Sequence, residues 1–93
     1  MSNSNNFKVG DIVKHFKYET LSSKEQSDKK YIYKIMHFDI HSETKEAMVV
    51  YQSLFNNEIY VRPRDMFESE VDKNKYPQIK QKYRFEIING ISI

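Results

Sequence analysis

Large apolar residues fall in five blocks along this chain, at 12–16, 31–40, 47–55, 59–61 and 83–88, with polar stretches between them. None of the blocks sustains a helical period, and the alternation of large apolar with polar or charged residues predicts strands. The predicted strands cover 12–17, 31–41, 46–55, 58–62 and 83–88. The densest run is 31–67, which predicts three consecutive strands. A tight turn at residues 42–45 joins the first two of these, and Asn56-Asn57 joins the second to the third. Pro63 ends the third strand because it has no N–H to give to a ladder. Gly10-Asp11 predicts a turn into the first strand, and Asn89-Gly90 a turn after the last, with Ile91-Ser92-Ile93 folding back or fraying.

The phase of each strand sets the expected core. In 31–41 both parities carry large apolar residues, so a bulge near Met36–Phe38 is expected, turning Tyr33 and Ile35 inward with Phe38. The 46–55 strand is the most apolar and is expected to be central. In 58–62, Ile59 and Val61 are expected to face the core, and Tyr60 and Arg62 the other side. The expected core residues are Val49, Leu54, Val61 and Phe85. Arg64-Asp65-Met66-Phe67 predicts a 3₁₀ turn, with Met66 and Phe67 plugging an open end. Residues 18–30 predict a surface loop with room for one helical turn at 23–26. Residues 68–82 predict another loop, with a short extended piece at 69–72. The fold class expected is all-β: a small five-stranded, strongly bent antiparallel SH3-like barrel with one short 3₁₀ turn. Residues 7–88 form its single domain, 1–6 a disordered tail, and 89–93 a turn or tail.

Size and composition narrow the chemistry. Ninety-three residues make one domain with a thin core. The chain has no Cys, which excludes disulfides and thiolate chemistry. His15, His37 and His41 lack the spacing of a metal-ligand set, so no metal and no cofactor is expected. The opening residues have no basic-then-apolar pattern, and no run approaches 18 apolar residues, so a cytoplasmic protein with no membrane partner is expected. The net charge is +2. Residues 1–30 carry six Lys against four acids, 31–60 two against four, and 61–93 seven Lys or Arg against five. Basic ends around a mildly acidic centre are too weak a signal to imply nucleic acid alone.

One string of motifs is distinctive. It runs from Gly10 through His15-Phe16-Lys17, Tyr33 with Ile35, His41-Ser42-Glu43-Thr44, Val49 with Tyr51, and Tyr60-Val61-Arg62-Pro63 to Met66-Phe67. In order and spacing it resembles a small bacterial family catalogued as domain of unknown function 1653, over Gly10 to Val71. Three features depart from that pattern: the link after Lys17 is long, Tyr60 stands where the family has Trp, and the tail after Val71 lies outside it. The resemblance implies a compact β domain and no known activity.

The candidate site residues are Tyr60, Arg62 and Arg64 with the turn residues His41 and Glu43. Arg62 and Arg64 bracket Pro63, which holds their stems at fixed separation, and a guanidinium suits a carboxylate or phosphate. The bland alternative is that one arginine braces the turn through Asp65, Glu68 or Glu70. His41 and Glu43 form a polar rim, or a hairpin held by local bonds to backbone N–H groups. No nucleophile stands near them apart from unactivated Ser42 and Thr44, so no catalytic residue is assigned. His15 and His37 are read as structural or exposed. The expected function is a non-catalytic binding module for an anionic ligand, either a small molecule or an acidic protein segment. The alternatives are a single-stranded nucleic-acid binder, favoured by exposed aromatics beside basic residues, and a small enzyme using His41 and Glu43.

Overall fold

The computed structural model describes residues 7–88. The strands are β1 (Ile12–His15), β2 (Ile32–Ile40), β3 (Ala47–Ser53), β4 (Ile59–Pro63) and β5 (Phe85–Ile87). They form one antiparallel sheet in the order β4-β3-β2-β1-β5. The helical pieces are a 3₁₀ turn at Phe16–Thr20, α1 (Ser23–Ser27) and α2 (Arg64–Phe67). The disordered tail expected at 1–6 and the turn or tail expected at 89–93 lie outside the described residues.

Two corrections follow for the fold class. The sheet is open and not a closed SH3-like barrel, and the fold is mixed α/β and not all-β. Closure needs the two edge strands to share a ladder, but β4 and β5 stand at opposite ends of the strand order. The chain between them packs side chains instead, burying Phe67, Val71 and Ile79. β5 is then only three residues long. The helices also depart from expectation. Arg64–Phe67 is α-helical where a 3₁₀ turn is predicted, and the 3₁₀ turn lies at Phe16–Thr20, cutting short the first predicted strand. α1 arises at the helical turn anticipated near 23–26. Its Ser22 and Glu25 cap it reciprocally, each side chain accepting the other's backbone N–H.

β2 carries the expected bulge, where its pairing with β3 slips between Ile35 and His37. That slip puts Tyr33, Ile35 and Phe38 on one face, opposite Ser53, Tyr51 and Val49 of β3. A core cluster forms there from Phe7, Val13, Ile35, Val49, Tyr51, Phe67 and Phe85, with Tyr33 and Phe38 packed against it. Each fully buried side chain of this size contributes roughly 1.5–3 kcal/mol. The Phe67 and Phe85 rings stack with centroids 4.0 Å apart. A satellite cluster of Phe16, Val71 and Ile79, with Tyr76 against it, fastens residues 70–80 to the 3₁₀ turn.

Two expected core residues are corrected. Val61 is 60% exposed, and Leu54 is only half-buried in the turn after β3. β4 presents the opposite face to the one predicted. Its Tyr60 and Arg62 stand beside Tyr51 and Val49 on the core face, while Ile59 and Val61 turn outward. Alternation fixes parity but not direction, and here the ring of Tyr60 and the stem of Arg62 cover the core edge. Met66 is also exposed, so Phe67 alone of that pair fills the core.

Candidate functional site

A cavity of about 310 Å³ opens where the end of β1, the core face of β4, the start of β5 and the 72–76 turn converge. It is lined by His15, Phe16, Lys17, Arg62, Asp72, Lys75, Tyr76 and Arg84. Its size is at the small end of ligand pockets. Four lining residues are cationic and one is acidic.

His15 ends β1 and caps the 3₁₀ turn, its Nδ1 accepting the Lys17 backbone N–H at 3.1 Å. Its ring stacks on Phe16 and Tyr31 and meets Phe85 edge-on. Burial, with Arg62, Lys17 and Arg84 adding repulsion, holds the imidazole down to a pKa of about 4, so it is neutral at pH 7. With Nδ1 accepting, the neutral ring carries its proton on Nε2 and offers a donor.

Arg62 reaches inward across the core face. Its Nε donates to the Tyr51 hydroxyl at 3.2 Å, and its guanidinium lies 5.9 Å from the Phe85 ring centre. Arg84 is anchored through its backbone, accepting from Phe16 N–H and donating to the Ser69 carbonyl, each at 2.9 Å. Its Nε is buried and has no hydrogen-bond partner among the described residues. A buried, unpaired charged donor is costly, and an anion in the cavity is the kind of partner that would satisfy it. Phe16 and Tyr76 meet edge-to-face with centroids 4.9 Å apart and form an apolar wall. Lys17 and Lys75 both approach the Tyr76 ring. Asp72 is occupied locally, its Oδ1 accepting backbone N–H from Asn74 and Lys75.

Of the residues nominated from the sequence, the cavity gathers Arg62 alone. Arg64 is bonded to Glu68 at 2.9 Å and lies over the Phe38 ring. Tyr60 packs against Tyr51 and donates its hydroxyl to Glu58. His41 and Glu43 sit in the exposed β2–β3 hairpin, where His41 Nδ1 accepts the backbone N–H of Glu43 and Thr44. Sequence reasoning missed His15, Lys17, Lys75, Tyr76 and Arg84. The His15-Phe16-Lys17 motif was the available signal for the first two. Nothing in 72–84 marks the others, because only packing brings that segment to β1 and β4. Among the described residues, no group of three or more His, Cys, Asp or Glu is placed to hold a metal ion.

The fold and cavity define a small open-sheet domain with a cationic pocket at one end. The chain belongs to the family described as protein of unknown function (DUF1653), whose sequence pattern matches residues 11–87. The match continues past Val71, where the motifs alone run out, and so takes in Asp72, Lys75, Tyr76 and Arg84. No curated protein and no solved structure was found to match. No helix among the described residues is long and apolar enough to cross a membrane.

Proposed function

We propose that this chain is a non-catalytic binding module for an anionic ligand, held in the cavity between Arg62 and Arg84. The observation that carries this reading is the buried Arg84 Nε without a partner in a pocket with four cations and one locally occupied carboxylate. Arg62 and Arg84 supply the charge, and the Nε2–H of neutral His15 supplies a neutral donor. Phe16 and Tyr76 would pack against the ligand's carbon skeleton. The volume suits a small carboxylate or phosphate compound, or the end of one acidic side chain, better than a long segment. A cytoplasmic setting stays part of this proposal.

The test is a titration of the labelled protein with phosphate, citrate and a short acidic peptide, followed by amide and side-chain chemical shifts. Binding should move the signals of His15, Lys17 and Arg84 together and leave the His41–Glu43 hairpin still. Silence at all three positions with every anion would reject the reading.

A further inference from the structure

Beyond the cavity, the most unusual surface is the outer edge of β4. Ile59 and Val61 are 61% and 60% exposed on a strand at the end of an open sheet. Native edges are normally blunted by charge, bulges or cover, since free N–H and C=O groups template pairing. Here Pro63 closes only the strand's end, and no described residue bonds to the backbone of Ile59 or Val61 on the outer side.

The hydrogen-bond parity of β4 is fixed by its neighbour. Ser53 N–H donates to the Glu58 carbonyl at 2.9 Å, so Glu58, Tyr60 and Arg62 turn their backbone groups toward β3. Ile59 and Val61 therefore turn theirs outward. We infer that β4 pairs antiparallel with β4 of a second copy of this chain, about a two-fold axis at Tyr60, giving one continuous ten-stranded sheet.

The strand is self-complementary in that register. Ile59 falls opposite Val61 of the other copy, and the two outward-facing residues exchange both N–H···O=C bonds. Symmetry repeats this, so four hydrogen bonds form without a bulge. The same pairing puts the exposed Ile59 and Val61 side chains of both copies side by side on one face. Glu58 falls opposite Arg62, so opposed positions carry opposite and not like charges. Tyr60 falls opposite itself, in the non-hydrogen-bonded position where Cα atoms approach to about 4.5 Å. An axis at Ile59 or at Val61 keeps the hydrogen-bond parity but sets Val61 opposite Asn57, or Ile59 opposite Pro63, which has no N–H, and both lose the opposition of Glu58 to Arg62. Of the paired residues only Arg62 also lines the cavity, and none of the substitutions used below touches it, so the test of this interface is separate from that of the anion reading.

The test uses sedimentation equilibrium and cysteine cross-linking. The wild type is expected to dimerise. The chain has no native cysteine, so Tyr60→Cys places a single thiol on the proposed axis. That spacing suits a disulfide, and under mild oxidation the linked dimer should form at least about tenfold faster than for a Ser42→Cys control. Val61→Pro removes one outward N–H from an edge strand, a position where proline is tolerated, and should yield a folded monomer. Ile59→Lys, which places a charge on the outward face, should give the same result if Val61→Pro unfolds. A wild type that stays monomeric up to about 1 mM would overturn the assignment, leaving the edge to a strand of a different protein. So would a dimer that survives both variants, or equal linking rates for the two cysteines.

Discussion

His15 sits in the cavity as a neutral donor because burial disfavours its charged form and the basic side chains of Arg62, Lys17 and Arg84 add repulsion to its proton. Its ordinary pKa is 6.5 and in the folded chain it is about 4. Between those values the unfolded chain binds a proton that the folded chain refuses. Stability is therefore fully present above pH 6.5 and is lost as pH falls toward 4, by roughly 3 kcal/mol from this group. Urea unfolding of His15→Gln across that range should show a flatter pH dependence than wild type. The two arginines should separate in another experiment. Arg62→Ala loses a charged bond to the Tyr51 hydroxyl, worth roughly 1.5–3 kcal/mol. Arg84→Met removes a buried donor that lacks a partner, so thermal unfolding should move little or upward while phosphate binding falls. Arg62 was legible in the sequence because it stands on a short strand before a proline. Arg84 was not, because its significance lies in what packs beside it, and that neighbourhood is assembled from segments more than 60 residues apart.

Elements repeat that lesson with the opposite balance. The bulge in β2 was legible because large residues of both parities cannot share a face without one. The direction of β4 was not, because Ile59 and Val61 are the more apolar pair and yet lie outside. Hydropathy ranks side chains one at a time, whereas the core edge here takes an aromatic ring and an arginine stem. Ile35→Ala should cost roughly 2–5 kcal/mol in thermal unfolding, as expected for a fully buried site. Val61→Thr should stay within about 0.5 kcal/mol. A large loss at Val61 would mean that β4 faces inward after all. In α1 the Ser22-x-x-Glu25 spacing forms a capping box that went unread in the sequence, where only a single turn at 23–26 was expected. Ser22→Ala should weaken that cap by roughly 0.5–2 kcal/mol and speed tryptic cleavage at Lys24, with the sheet unaffected.

At the scale of the molecule, an open sheet was hidden by what it shares with a barrel: five short antiparallel strands, tight hairpins and a bend in the longest one. The difference lies in residues 68–84, whose sparse apolar residues Val71 and Ile79 nevertheless bury themselves against Phe16. Glu19 helps hold that segment, accepting the backbone N–H of Lys80 and Gln81. Burial alone would raise its pKa, but these two bonds and nearby lysines outweigh it and hold the carboxyl below its ordinary range. Glu19→Gln should therefore loosen residues 72–81 in amide hydrogen exchange, and acid should do the same to wild type as the carboxylate is neutralised.

The strand order carries a consequence in time. β2, β3 and β4 are joined by two tight hairpins and can pair as soon as each is made. β1 lies between β2 and β5, so one of its edges has no ladder partner until the last strand is present. That pairing, with Val13 opposite Ile87, closes a loop spanning nearly the whole described chain. A ribosome making this protein thus releases Phe85, which stacks on Phe67, only after the other four strands have emerged. The cavity, which needs both His15 and Arg84, cannot exist before that point.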